Sequence, residues 1–484
     1  MRSKYIVFVL VSLVIWTTVS FIFILHQYPT KINKVDFSLQ ITKLENEVSY
    51  ILSSNQKVFR NREQLRTKNS YEDYQTSNVF SREILLSKNR NALENQVRSS
   101  RVYKEYLNTH QREDILKVQY SSNKTYAMTV RTQAHNISKE YPVVAVLVIS
   151  CNRITVKRCL DQLIKFRPHK DMFPIIVSHD CNHRDTSDVI KRYDKEIIYM
   201  QQPDQSEIEI PPIEKKFSGY FKIARHYGWA LNQTFFKFNF EAAIVVEDDL
   251  DISPDFYEYF LSTYPLLKED PSLWCISAWN DNGKSSLIDL ASPHLLYRTD
   301  FFPGLGWMLT QKLWFELSHK WPKSYWDDWI RQPEQRQNRA CIRPEISRTR
   351  TFGKFGVSNG LFFEKHLKFI ELNNKKVDFS KHDLKYLLKE NYDAKFIKKV
   401  YQLKEVNYLE LNSNKLPIIQ SEYRISYDSR QSYKNIARMF GLMDDFKSGV
   451  PRTGYHGIVT FYLNHRRIFL APRVQWTKYD LAWS

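Results

Sequence analysis

From Val143 the chain alternates short apolar runs with amphipathic ones. The apolar runs are VVAVLVIS (143–150), FPIIVSHD (173–180), EIIYMQQ (196–202), AAIVVEDDL (242–250) and LWCISAWND (273–281). Between them TVKRCLDQLIKF (155–166), DTSDVIKRY (185–193), IARHYGWALNQTFFKF (223–238) and DFYEYFLSTYPLLK (255–268) carry helical spacing. Continuous apolar strands separated by helices predict a mostly parallel sheet covered on both faces, an α/β architecture. This pattern runs to about residue 375. Residues 376–484 mix helix and strand signals and predict a smaller C-terminal α+β domain.

The first 142 residues read differently. Tyr5 to Leu25 is an uncharged apolar stretch of 21 residues. As a helix it spans about 32 Å, enough for a hydrocarbon core of about 30 Å. Arg2 and Lys4 lie in the four residues before it, which keeps that end cytoplasmic and sends the rest across the membrane. A cleaved signal peptide would have a shorter apolar core and a small-residue cleavage site, whereas this run ends in bulky Phe21–Leu25. The expectation is a cytoplasmic tail (1–4), a type II signal anchor (5–25) and a lumenal stem (26–142). The stem from residue 27 has no Cys, Trp or Gly and is rich in Asn, Gln, Ser, Lys and Arg. Within it Ile41, Leu44, Val48, Ile51 and Val58, with Asn55 in one seam slot, keep a 3-4 spacing, which suits either a coiled coil pairing two stems into a dimer or a lone amphipathic helix. Sequons at Asn123, Asn136 and Asn232 agree with a lumenal body.

Composition bounds the rest. Of 484 residues 43% are apolar and 14% aromatic, so a disordered chain is excluded. The formal charge is +18, but residues 1–142 hold 21 Lys+Arg against 12 Asp+Glu and the remaining 342 hold 50 against 41, so each part carries +9. The basic excess is densest in the front quarter, which counts against a nucleic-acid enzyme with a basic face.

In open α/β sheets ligands bind beyond the carboxyl ends of the strands. Cys151-Asn152-Arg153, His179-Asp180-Cys181, Glu247-Asp248-Asp249 and Asn280-Asp281-Asn282 fall there. Three adjacent acids repel one another, and a hard divalent cation would resolve this. The alternative is helix capping before Ser253-Pro254-Asp255, for which Asp251 and Asp255 suffice. Cys151 and Cys181 each sit one residue past a strand and could pair if those strands are neighbours, which leaves Cys275 and Cys341; Cys159 suits a buried thiol. In Trp326-Asp327-Asp328-Trp329 the flanking indoles would desolvate an acid and raise its pKa, as a base requires; an ion pair with Arg331 is the structural alternative. Gly304-Leu305-Gly306-Trp307 suits a sugar-binding loop or an ordinary turn.

The runs VVEDDLDISPDFYEYF, SLWCISAWNDNGK, LLYRTDFFPGLGW, WDDWIRQPEQR, RACIRPEISRTRTFG and DDFKSGVPRTGYHGIVTF resemble the N-acetylglucosaminyltransferase I family over about residues 143–484. The resemblance implies a GT-A nucleotide-sugar fold and an inverting transfer of GlcNAc from UDP-GlcNAc, in β1,2 linkage, to the α1,3-linked mannose of a high-mannose N-glycan. It implies Mn²⁺ on Asp249, with Asp248 on the donor beside it. Asp180 would read the uracil, and Arg153, His226 and Ser358 would hold the rest of the donor. Asp327 would be the catalytic base. The disulfides would be Cys151–Cys181 and Cys275–Cys341, and the compartment the Golgi lumen. Two other readings remain: a relative acting on O-linked mannose, or a lumenal lectin or scaffold without activity.

Overall fold

The computed structural model describes residues 142–354, 356, 360, 363–412, 416–417 and 421–483. The expected anchor, the stem up to residue 141, the sequons at Asn123 and Asn136, and Ser358 lie outside the described residues. Among the described residues no helix is long and apolar enough to cross a membrane.

All five apolar runs contain strands. β1 (Val144–Ser150), β2 (Ile175–His179), β3 (Ile197–Gln201) and β4 (Ala242–Glu247) pair in parallel in the order β3-β2-β1-β4. Every residue of β1 is buried, because its alternate side chains enter two different cores. Val144, Val146 and Val148 pack with Val156, Cys159, Leu160 and Leu163 of α1 (Val156–Phe166). Ala145, Leu147 and Ile149 pack with Ala224, Tyr227 and Leu231 of α3 (Ser218–Asn232). Between these helices lies α2 (Arg184–Lys191). The α/β expectation is realised in this half, with helices on both faces.

The other half departs from parallel order. AAIVVEDDL is not one strand. The β4 ladder stops at Glu247, the chain turns through Asp248 and Asp249, and β5 (Leu250–Ile252) pairs antiparallel with β10 (Thr349–Thr351) in a separate two-stranded sheet. After α4 (Phe256–Glu269) come β6 (Leu273–Ser277), β7 (Leu296–Thr299), β8 (Trp307–Thr310) and β9 (Ala340–Pro344). They complete an eight-stranded sheet of order β3-β2-β1-β4-β8-β6-β9-β7. β8 runs antiparallel to β4 and β6, and β7 antiparallel to β9. LYRT and WMLT are four residues each and mix polar with apolar positions, so they lacked the signature of a doubly buried strand. β4 and β6 still point the same way, since each opposes β8.

α5 (Gln311–Ser318) packs Leu313, Trp314 and Leu317 into the α3 face. In the third sequon Asn232 Oδ1 accepts from Trp314 Nε1 at 3.0 Å, while Thr234 is buried and its hydroxyl donates to the Ala230 carbonyl at 2.9 Å. Asn232 itself is half-buried. The short helix α6 (Trp326–Ile330) follows.

Val377, Phe379, Leu384, Leu387 and Tyr392 pack into the α1-side core of the large sheet. Farther on, β11 (Glu422–Tyr427), β12 (Val459–Leu463) and β13 (Arg466–Pro472) form a three-stranded sheet with β13 in the middle. α7 (Arg430–Phe440) covers it through Tyr433 and Ala437, capped by Ser429 and closed at Gly441, φ 74°.

A buried ion pair between β7 and Asp270, just after α4, also hydrogen-bonds to the chain beyond residue 375. Arg298 Nη1 donates to Asp270 Oδ2 and to the Leu387 carbonyl, both at 2.8 Å. Breaking such a pair by removing one partner costs about 3–5 kcal/mol. Arg298→Ala should therefore lower unfolding stability by about that amount. Urea denaturation followed by tryptophan fluorescence would check it; an unchanged midpoint would show that the pair holds nothing together.

Candidate active site

β1, β2 and β4 end side by side, and their exits place the polar residues. Ser150 Oγ and the Cys151 amide donate to Asp248 Oδ2 at 3.0 and 3.1 Å. Arg153 Nη1 lies 3.7 Å from Asp248 Oδ1 and forms an ion pair with Asp249. Arg153, Asp248 and Asp249 are thus brought together. Burial and then the Asp249 charge push Asp248 up to about 6; burial and then Asp249 also raise Glu247 to about 7. The guanidinium of Arg153 is raised in turn: burial alone would lower it, but Asp249 and Asp248 outweigh that.

The acids of this segment do three different things. Asp251 accepts from Arg158 Nε and Gln162 Nε2, both at 2.7 Å. Asp255 accepts from Arg348 Nη2 at 3.0 Å and Asn373 Nδ2 at 2.9 Å, with no capping bond to the helix it precedes. These two are structural, though not caps. Asp249 differs: its Oδ1 is buried and has no hydrogen-bond partner among the described residues. Such an atom costs about 1–3 kcal/mol if left unpaired, more when charged. Gly353 lies against the same carboxylate. A Cβ there would overlap Asp249 and come within 2.6 Å of Arg153 Nη1. An orphaned hard oxygen, a flanking acid and a glycine that keeps the space open fit a hard divalent cation at Asp249.

The β2 exit forms a second corner. Cys151 and Cys181 are disulfide-bonded with Cα atoms 5.3 Å apart, while Cys275 and Cys341, opposite one another on β6 and β9, form the other bridge. Cys159 is free and buried. Asp180 is buried and accepts from Gln205 Nε2 at 2.7 Å. His226 on α3 meets Ser178 Oγ at 2.8 Å, and burial pulls its pKa down to about 4 despite the nearby Asp180. Its imidazole is neutral at physiological pH and serves as a hydrogen-bonding group.

Asp327 sits in the first turn of α6. Arg331 Nη1 donates to Asp327 Oδ2 at 2.9 Å and Asp328 Oδ1 at 3.1 Å, and Lys447 Nζ lies 3.0 Å from Asp328 Oδ2. Here the sequence expectation is reversed. Burial would raise the Asp327 pKa, but Arg331 and then Lys447 outweigh it, and the carboxyl is held below its usual range. The ion pair with Arg331, weighed from sequence as the structural alternative, is present. Arg331 is fixed in turn by the Phe302 carbonyl at 3.0 Å.

One residue that sequence reasoning left without a role, Tyr227, joins these segments. The Tyr227 ring stacks on Trp326 at 4.4 Å, and its hydroxyl donates to Glu247 Oε1 at 2.6 Å. Burial, Glu247, Asp249 and Asp327 all raise its pKa, so this hydroxyl feels both acid groups. A tyrosine on an apolar helix face gives no sequence signal of such a place. Asn280–Asn282 reach the same sheet edge but belong to another network, in which Arg452 Nη1 donates to Asp281 Oδ1 at 2.8 Å. The Gly304–Gly306 turn has positive φ at all three residues, and a Cβ on Gly306 would lie 2.6 Å from Thr349 Cγ2. The glycine there allows β8 to pack on β10.

Comparison with known proteins gives three kinds of likeness. The GNT-I family profile matches residues 56–483. An Arabidopsis thaliana protein named alpha-1,3-mannosyl-glycoprotein 2-beta-N-acetylglucosaminyltransferase is 39% identical over 334 residues, covering 68% of this chain and 74% of that one. Among solved structures, the Pyrobaculum calidifontis mannosyltransferase PcManGT in complex with GDP-Man and Mn²⁺ aligns at TM-score 0.26 and 13% identity, over 40% of this chain and 55% of that one. S. aureus TarS 1–349 in complex with UDP-GlcNAc aligns at TM-score 0.30 and 14% identity, over 44% and 61%. The chain spans less than two thirds of either solved chain.

The cradle at Asp249 can be tested without turnover. Gly353→Ala should weaken Mn²⁺ binding, read by the loss of free-ion EPR signal, by about tenfold or more, a difference of about 1.4 kcal/mol. Unaltered affinity would mean that Asp249 is not where the ion is held.

Proposed function

The chain belongs to the GNT-I family, and on that premise we propose that it transfers GlcNAc from UDP-GlcNAc, in β1,2 linkage and with inversion, to the α1,3-linked mannose of an N-glycan such as Man5GlcNAc2. The observation that carries the reading is the pairing of a buried carboxylate turn having one orphaned oxygen with a separate, ionised carboxylate at Asp327. Tyr227 hears both. The sheet of β1–β4 supports assignment of the body to the GT-A class.

In this proposal Asp180 and His226 bind the nucleoside end of the donor, with Ser358 as a further donor contact. Arg153 faces the diphosphate, and Asp248 orients the donor from its tie to Ser150 and Cys151. Asp249 would hold Mn²⁺, which when bound supplies Lewis-acid charge for the departing diphosphate. Asp327 accepts the proton from the mannose 2-hydroxyl as that oxygen bonds to the anomeric carbon. The carbon–oxygen bond to UDP breaks on the opposite side, and UDP leaves with the electron pair. Because Arg331 keeps Asp327 ionised, the base is ready at neutral pH. The uncharged run Tyr5–Leu25 supports a single-pass type II chain in the Golgi membrane with this body lumenal, and the stem heptads support a dimer.

The decisive assay incubates the full chain with UDP-GlcNAc, Mn²⁺ and Man5GlcNAc2 and looks for one added HexNAc, lost on chelation and restored by Mn²⁺. Asp327→Asn should keep UDP-GlcNAc binding and lower kcat by about 10²–10⁴-fold; undiminished turnover would remove Asp327 from the role. Arg331→Met should release Asp327 upward in pKa, so that the acid limb of the pH–rate profile moves to higher pH. A limb that stays in place would mean that Asp327 does not set it.

A further inference from the structure

A group of aromatic side chains beside Asp327 has no part in the roles assigned so far. The 3₁₀ turn Pro212–Phe217 runs directly into α3. At that junction Tyr220 stacks on Tyr325, centroids 4.8 Å apart and planes 28° apart. Phe217 approaches both rings edge-on at 6.4 Å, with the buried Phe221 behind Tyr325 at 6.3 Å. Phe217 is 40% exposed, and Ile213 in the same turn is 83% exposed.

Three features distinguish this group from ordinary packing. Tyr325 is held at φ 49°, a left-handed backbone that a bulky residue seldom adopts, and it is the residue on which α6 begins. Neither the Tyr220 nor the Tyr325 hydroxyl has a hydrogen-bond partner among the described residues. The Tyr220 hydroxyl, partly buried, also lies within the electrostatic reach of Asp327 and Asp328, which raise its pKa after burial does. So two unengaged phenols and a half-exposed phenyl ring sit at the edge of the carboxylate that begins the chemistry.

The chemistry of such a surface is that of a sugar ring. A pyranose has a face of C–H groups and a rim of hydroxyls. Tyrosine offers an apolar face with a polar tip, at low cost in side-chain entropy. We propose that Phe217, Tyr220 and Tyr325 form the acceptor subsite, a platform on which a mannose ring of the oligomannose branch lies with its 2-hydroxyl turned to Asp327. This rests on Asp327 being the base. A hydrophobic peptide would use Ile213 and Phe217 but would leave both hydroxyls unpaired, so the saccharide is the better occupant.

α3 then organises both substrates from one rigid element. Its first turn presents the platform, and His226 and Tyr227 farther along present the donor corner and the Glu247 contact.

The test reads binding directly and needs no turnover. Man5GlcNAc2 is titrated calorimetrically into the full-length Asp327→Asn chain in detergent, with UDP and Mn²⁺ present. Tyr220→Ala and Tyr325→Ala, added singly, should each weaken glycan binding about fivefold to tenfold, the scale of one aromatic contact. Tyr325→Phe, which keeps the ring and loses the hydroxyl, should fall between the parent and Tyr325→Ala, and UDP-GlcNAc affinity should be the same in all. Phe217→Ala, at an exposed position, should weaken glycan binding without altering the melting temperature. If the parent chain binds no oligomannose, the functional reading itself fails. If it binds and the three alanine variants bind equally well, or lose donor and glycan affinity together, the platform is overturned.

Discussion

The site depends on how the fold tolerates three acids in succession at the end of a buried strand. Glu247, Asp248 and Asp249 leave β4 where apolar helices cover both faces, and burial first, then their mutual repulsion, raises the pKa values of the first two. Each is held by a different neighbour. Tyr227 donates to Glu247, Ser150 and Cys151 donate to Asp248, and Arg153 pairs with Asp249. One oxygen of Asp249 is left over. A stabilising core would have placed valine or threonine at these positions. The arrangement makes sense when the leftover charge is meant for something that arrives with the substrate.

Much of this was readable in the sequence because burial writes a strong signature. The continuous apolar runs match β1 to β3 to within two residues at each end and overrun β4 by three, and strand ends then located Arg153, Asp180, Asp248 and Asp249. What failed to show has physical reasons. β7 and β8 are short, mixed in polarity and antiparallel, and β5 hid inside an apparent continuation of β4. The pKa of Asp327 was expected to rise because aromatic neighbours are visible in sequence, whereas the guanidinium one helical turn away outweighs them in space. Tyr227 could not be found, since its function comes from where its hydroxyl lands after packing. Asn232 carries a structural contact that its motif does not show, an indole hydrogen bond from Trp314.

The chain beyond residue 375 is more than a cover. Lys447 reaches Asp328, and Arg452 joins Asp281 to Asp445 while lying 4.8 Å over the Phe301 ring. Arg331, the partner of Asp327, lies over the same ring at 5.0 Å. Phe301 thus sits against two guanidinium groups, one from each region, and its quadrupole helps to hold both. The charge state of Asp327 is therefore set jointly by segments more than a hundred residues apart in sequence.

The bridge between Cys151 and Cys181 joins the two loops that carry Arg153 and Asp180. Loops on a parallel sheet have no ladder of their own beyond the last strand residue, so this covalent tie, with the bonds from the Asp180 amide to the Ser150 carbonyl and between His179 Nε2 and the Cys151 carbonyl, sets their spacing. Manufacture in a reducing cytoplasm would yield a chain with every site residue present and the β-sheet able to form. The two loops that carry Arg153 and Asp180 would nonetheless remain unstapled. Recombinant production of this enzyme is consequently a question of redox environment as much as of sequence.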